Sequence, residues 1–440
     1  NVLEWKRLND SLIGINVQIL VTTRNLRVAE IMQSSTYHLG KLSFKDSWKI
    51  FQHKVFSVGR APEEVFIDMG EKMVHRCDGL PLALTILGGL LQDKNSESEW
   101  SWMESHPCWL TLAEDHLPIL RISFDDLQLP SLKSRFEFCS IFPKNFVFQE
   151  HVLIQLWMVL DSISSNSTED VEEKNFKILY QKSLFEDCKM SSHPLAQEEV
   201  SNLCCMHDLV HDLAQEVSKK FCATTEVSKV NDVPPTVVHL RLMGGYIEKI
   251  PKSFEKCLGR LQTLYLEVDL CVEIFEGLKA LRILILSNRK IKHLPKTIGK
   301  LKQLRYIDIS ETNIETLQNS VFDLYLLQTL RVNCLNNFSK KLKRLAKLRH
   351  LYFHDIDRSM GCMFMGISAL TELQSLPFFV VSKTQRCLLE ELECLNNLNS
   401  QLRIYGLEDV NNKDEAEKAR LDNKSKVSSL EFHWKKRFGD

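Results

Sequence analysis

The back half of the chain repeats itself, and that repeat limits what it can fold into. Leu281, Leu284 and Leu286 recur as Leu304, Ile307 and Ile309, then as Leu327, Leu330 and Val332. Further copies start at Leu348 and Leu373, so the spacing is 21–25 residues. Looser copies lie earlier, around Leu240 and Leu264, and later, around Leu402 and Leu430. L-x-x-L-x-L with a period in the low twenties is the leucine-rich repeat signature. One such unit cannot bury its aliphatic face alone, so residues 236–440 are expected to stack as a solenoid. The closing Phe438-Gly439-Asp440 carries no polar cap, which predicts a longer array.

The first half has no such period. The whole chain of 440 residues suggests about three domains. Apolar residues make up 44% and charged residues 26%, while Gly (16) and Pro (12) are sparse, which excludes collagen-like and Gly/Pro-rich disordered classes. The net charge of −1 argues against a chain that coats nucleic acid or membrane over its whole surface. Thirteen scattered cysteines fit free thiols in a reducing compartment rather than a disulfide scaffold. The longest apolar run, Gly79 to Leu91, is too short to span a bilayer, so no transmembrane segment is expected.

Residues 1–40 read as the end of an α/β unit. Val17 to Thr22 is a β-branched run predicted to form a buried strand, with a helix from Leu26 to Met32 after it. Ligands of open α/β sheets sit beyond the carboxyl ends of strands, which places Thr22, Thr23 and Arg24 where a phosphate could lie. Residues 41–112 read as a helical subdomain. Ser43 is predicted to cap a helix from Phe44, Asp78-Gly79 to stop another, and Pro81 to open the next. Residues 113–220 read as helices with a small strand pair, which suits a winged helix. Asp161 to Asp170 is expected to be a loop, Leu203 to Met206 a strand and His207 to Lys219 a helix.

Four short motifs carry a family resemblance: Val21-Thr22-Thr23-Arg24, Gly79-Leu80-Pro81-Leu82-Ala83-Leu84, Phe138-Cys139-Ser140-Ile141-Phe142-Pro143 and Met206-His207-Asp208. In this order, and followed by the repeats, they resemble plant intracellular immune receptors of the NB-ARC leucine-rich-repeat class. Leu153 to Met158, and Leu402 to Val410 with Trp434, resemble its coiled-coil branch. The implied fold is a partial P-loop-type α/β nucleotide module, a helical subdomain, a winged helix and a leucine-rich solenoid.

The resemblance implies a switch that holds ADP when closed and exchanges it for ATP, with Mg²⁺ in a complete relative. Arg24, beside Thr23, would then sense the terminal phosphate, as its forked, permanently charged guanidinium suits. The same residue would serve equally as a surface arginine at a helix entry. Gly79, Leu80 and Pro81 would pack beside adenine and ribose, although Pro81 is also a plain helix-start proline. His207 would donate to the β-phosphate at a helix N-terminus, or else be a capping or core histidine. Asp208 is expected to be the N-cap of that helix. The repeats would bind a pathogen effector or a guarded host protein and would also contact the nucleotide module. Such a protein is a cytoplasmic switch, reaching membrane or nucleus through partners, and not a metabolic enzyme; at most a full-length relative is a weak ATPase.

Two departures stand out. No G-x-x-x-x-G-K-[ST] phosphate loop occurs, and no apolar run ending in paired aspartates precedes residue 17. Truncation after those motifs is the expected cause, and weak or absent nucleotide binding the expected consequence. Val159-Leu160-Asp161 also replaces the small acidic-glycine turn of relatives, which implies a shortened loop. A binding-only leucine-rich-repeat scaffold with a vestigial nucleotide module therefore stands as the alternative. A zinc hydrolase is a third reading, because His207 and His211 sit four apart with Asp208 in the H-E-x-x-H position. Basic stretches at Arg282–Arg305 and Lys340–Arg349 read either as a dock for the nucleotide module, with Glu169 to Glu173 and Asp414 to Glu417 as acidic counterparts, or as a solvated convex face. No nucleic-acid motif accompanies them.

Overall fold

The computed structural model describes residues 2–12, 18–23, 26–32, 35–56, 63–110, 118–160, 169–188, 202–246, 252–269, 275–334, 340–353, 366–383 and 386–434. Its amino-terminal part holds α1 (Val2–Leu12), α2 (Leu26–Met32), α3 (Phe44–Val55), α4 (Glu64–Arg76), α5 (Pro81–Leu91) and α6 (Glu97–Glu104). Residues 18–23 correct the expected buried strand. They form no strand, and Leu20 is 95% exposed. A β-branched run becomes a strand only when a neighbour takes its backbone hydrogen bonds, and no strand pairs with 18–23 among the described residues.

The helical subdomain follows local rules. Ser43 caps α3, its hydroxyl accepting from the Asp46 amide at 3.1 Å. Ser96 and Glu99 form a capping box on α6. The α5 helix is apolar nearly all round and buried over Ala83, Leu84 and Ile86 to Leu91, as a central helix should be. Two glycines allow its neighbours to close in. A Cβ on Gly88 would lie 2.7 Å from Lys54 of α3, and one on Gly89 would lie 2.5 Å from the Gln181 carbonyl.

The next unit comprises α7 (Pro118–Asp125), α8 (Pro130–Cys139), β1 (Phe148–Gln149), α9 (Glu150–Leu160), α10 (Glu169–Gln181), β2 (Glu186–Asp187), β3 (Leu203–Cys205) and α11 (Asp208–Ser218). The three strands form an antiparallel sheet in the order β1-β3-β2. Of the expected loop, residues 161–168 lie outside the described residues, while Glu169 and Asp170 already belong to α10. Arg135 of α8 and Glu172 of α10 form a fully buried pair at 2.6 Å, and the Asn175 amide also donates to Glu172.

The repeats make a parallel ladder. β4 (Cys222–Glu226), β5 (His239–Tyr246), β6 (Thr263–Asp269), β7 (Ile283–Leu286), β8 (Tyr306–Ile309), β9 (Thr329–Val332) and β10 (His350–Phe353) form one sheet. β11 (Phe378–Val380), β12 (Leu402–Tyr405) and β13 (Leu430–His433) form a second. Short 3-10 turns such as Lys296–Lys300 return the chain on the outer side. The break falls at the Leu373 copy, where a single bridge joins His350 to Ser375. Pro377 occupies the next outward ladder position there and has no amide to donate, so the sheet cannot continue. No helix among the described residues is long and apolar enough to cross a membrane.

Candidate functional site

The residues singled out in the sequence fall at two helix starts. The first is the turn between α4 and α5. Asp78 and Gly79 both have left-handed backbone, with φ of 51° and 68°. Gly79 is required sterically as well, because a Cβ there would lie 2.5 Å from the Leu42 carbonyl oxygen. Its own carbonyl accepts from the Leu42 amide at 3.0 Å, and Lys41 pairs with Asp78, so the turn is pinned to the entry of α3. Leu80 is the cap residue, and Pro81 takes the first helical position with its ring exposed.

The second is the start of α11. Its N-cap is His207, not Asp208, which corrects the expected cap. The His207 Nδ1 accepts from the Leu209 amide at 3.2 Å, and Asp208 is the first helical residue. A histidine that accepts through Nδ1 carries its proton on Nε2, which is the atom left to donate outward. The cap is held from below. The Phe142 carbonyl receives a hydrogen bond from the His211 Nε2 at 2.8 Å, and the Ser140 and Ser218 hydroxyls pair at 2.8 Å. The Phe138 to Pro143 motif thus ties the end of α8 to α11. Burial lowers the His211 pKa, offset in part by the Phe142 hydrogen bond. His207 and His211 each commit a ring nitrogen to a protein partner, and no cluster of metal-holding residues occurs among the described residues.

The two starts share a neighbour: α5 packs on α3 and α7, and α11 packs on α7, α8 and β4. Thr23 is exposed at the end of the 18–23 segment, and Arg24 lies outside the described residues.

A larger feature went unread in the sequence: the inner face of the ladder is covered. Each repeat strand alternates sides. On β7, Leu284 and Leu286 enter the solenoid core, while Ile283 and Ile285 enter the core of the winged-helix unit. Register aligns His239, Thr263, Ile283, Tyr306, Thr329 and His350 in one column. All are buried, Ile283 and Thr263 completely. Phe138 meets His239 edge-on at 5.3 Å, and Phe142 packs on Tyr265 at 5.9 Å. From α9, the Gln155 amide donates to the Tyr352 hydroxyl at 2.9 Å, and His151 lies 5.6 Å from the Tyr352 ring.

Charges complete the seam. Arg282 donates to the Leu160 carbonyl at the end of α9 at 2.5 Å, where a cation is favoured by the helix dipole. Arg349 faces Glu169 at 4.0 Å, and Arg331 pairs with Asp308 at 3.0 Å. Burial, with Arg282 nearby, pushes the His239 pKa down to about 3. Burial, then Arg349 and His151, holds His350 at about 3, and burial with Arg331 holds His151 at about 4. A cavity of about 590 Å³ remains where the loop from Phe142 to Gln149 faces Tyr265, Ile285, Tyr306 and Asp308. The missed signal was the composition of the outward positions: isoleucine and tyrosine suit a covered face rather than a wet one.

Residues 141–214 match the disease resistance protein winged helix domain, and residues 269–438 match a leucine-rich repeat region. Over 425 residues the chain is 31% identical to disease resistance protein RGA2 of Solanum bulbocastanum, covering 94% of this chain and 41% of that one. It is 31% identical over 465 residues to RPP13-like protein 1 of Arabidopsis thaliana, covering 99% and 42%. The chain thus spans less than half the length of these relatives. Among solved structures, internalin C2 of Listeria monocytogenes covers 53% of the chain at 13% identity with a TM-score of 0.30. The chain joins the winged helix of disease resistance proteins to leucine-rich repeats, and it is homologous over nearly its whole length to that plant protein family.

Proposed function

We propose that the chain is the switch-and-sensor part of an intracellular plant immune receptor. Its repeats recognise a pathogen-derived or guarded host protein, and the winged helix holds the inner face of the first repeats closed until that happens. The observation that carries this reading is the burial of Ile283, Tyr306 and Thr329, outward positions that an open solenoid leaves to solvent or partner. A partner favouring the separated state shifts the equilibrium by its differential affinity alone. Expressed in leaf tissue, a chain carrying Tyr306→Glu should trigger the defence response without any effector. A silent variant that still accumulates would overturn the reading.

Nucleotide enters this proposal as a second bias on the same equilibrium. ADP would be met here by the His207 Nε2–H, the start of α11 and the Gly79–Pro81 turn, with Arg24 and Thr23 nearer the terminal phosphate of ATP. The fit is partial, because no phosphate-loop sequence occurs in the 440 residues. These residues orient and sense a nucleotide but do not cradle its phosphates. Titration calorimetry of the chain with ADP should therefore give no micromolar binding, and a micromolar Kd would contradict the assignment.

A further inference from the structure

The outer side of the repeats carries a concentrated positive charge. Residues 296–349 hold eleven Lys and Arg against four Asp and Glu; with Arg305, Arg331, Arg349 and Asp308 of the strand side set aside, eight cations stand against three carboxylates, in a chain of net charge −1. The register of β8, β9 and β10 stacks the outer turns of three successive repeats. It places Lys300, Asp323 and Arg344 in one column, and Lys302 beside Tyr325 in the next. Lys296, Lys300, Lys302, Lys341, Lys343, Arg344 and Lys347 are all exposed.

The carboxylates in this region are already engaged. Glu276 takes Lys300 at 3.0 Å, and Asp323 takes Arg344 at 2.8 Å. Among the described residues, Lys296, Lys302, Lys343 and Lys347 form no ion pair with a carboxylate. Two basic layers therefore flank a neutralised one. In that middle layer Tyr325 is 53% exposed, with the Lys302 ammonium 5.9 Å from its ring centre.

We infer that this face adsorbs to an anionic lipid bilayer surface. The cations are mostly lysines, which are hydrated point charges on flexible stems and attract without demanding a fixed fork geometry. An exposed tyrosine among them has the amphipathic character that settles at headgroup level. Clustered lysines gain attraction from an anionic leaflet within about one Debye length. Duplex nucleic acid is the weaker match, because sequence reading needs a helix or ribbon that enters a groove, and the outer turns here are short 3-10 segments. The face lies opposite the strand side covered by the winged helix, so adsorption leaves that seam intact. The inference does not rest on the nucleotide reading.

Sedimentation of the whole chain with vesicles tests it. The chain should pellet with phosphatidylcholine vesicles containing phosphatidylserine, not with phosphatidylcholine alone, and should be released at about 1 M salt. A combined Lys296→Glu, Lys302→Glu, Lys343→Glu and Lys347→Glu variant should partition at least about tenfold less. Tyr325→Ser should lower partition about threefold while leaving its salt dependence unchanged. Reversing Lys413, Lys418 and Lys426 instead should change it less than about twofold. Equal binding to neutral vesicles, no binding at low salt, or a fourfold variant that binds like the parent would overturn the inference. So would release from the vesicles by stoichiometric duplex DNA. The melting curve of each variant separates lost adsorption from lost folding, and Tyr325→Ser keeps the test open if the fourfold variant unfolds.

Discussion

The two sheets of the solenoid share a repeat pattern but not a surface. On β7 and β8 the outward positions are Ile283, Ile285, Tyr306 and Asp308; the winged helix covers the first three, and Asp308 is half-buried at the cavity. On β12 and β13 they are Arg403, Tyr405, Glu431 and His433, all of them partly exposed. There Arg403 pairs with Glu431 at 3.5 Å, and Tyr405 stacks on His433 at 4.3 Å. The inward residues of β7, β8 and β12 are buried aliphatics that stacking dictates, whereas on β13, the last described strand, Leu430 and Phe432 are exposed. The outward residues record what lies against them: apolar where protein covers the face, charged where water does.

Removing the cover should break this difference most strongly. Arg135→Ala leaves Glu172 buried without its cation, at a cost of about 3–5 kcal/mol. Hydrogen exchange should then rise in α8–α10 and on β7–β9, with β12 and β13 unchanged. Equal deprotection of both sheets would show that the solenoid responds as one body. Next in size, Tyr306→Ala empties a buried ring site and should cost about 3 kcal/mol in denaturant unfolding, whereas Tyr405→Ala should cost under about 1 kcal/mol. Similar losses at both sites would erase the distinction.

Acid should sharpen it. His239 and His350 are held neutral on the covered face, with pKa values well below the ordinary 6.5. The released state takes up protons first, so their contribution is complete above about pH 6.5 and falls toward about pH 3. Each should lose about 1.4 kcal/mol per pH unit inside that window. His151 adds to this loss, while Glu169, whose pKa burial raises despite Arg349, opposes it. The melting temperature should drop from pH 7.5 to 5.5, and the combined His239→Asn and His350→Gln variant should flatten the slope. An unchanged slope would remove the histidines from the seam. The smallest effect belongs to Gln155→Ala, which deletes one hydrogen bond to Tyr352 and should cost about 1 kcal/mol.

Local rules made much of the first half legible before any coordinates. Ser43 and Pro81 start helices because a hydroxyl cap and a fixed φ act within one turn. The same rules failed where a distant neighbour decides. Residues 18–23 have strand composition and no strand beside them. His207 outcompeted Asp208 for the cap because the chain enters α11 one residue earlier than the carboxylate suggests. β4 was invisible because Cys222–Glu226 lacks the leucine pattern, yet it pairs residue for residue with β5. Of the candidate site, the two helix starts could be located from motifs, but not their common neighbour α7, which depends on how the helices pack.

Sequence alone determined the solenoid, since a period of 21–25 residues with aliphatic triplets has one economical way to bury itself. It also settled the starts of α3 and α5, though not the cap of α11, and the absence of a phosphate-loop motif from these 440 residues. Tertiary structure alone decided which inner surface is covered and where the ladder breaks. Burial of Ile283 and Tyr306 depends on α8 and α9, more than a hundred residues away, and a chain-local pattern cannot encode which of two apolar faces will meet.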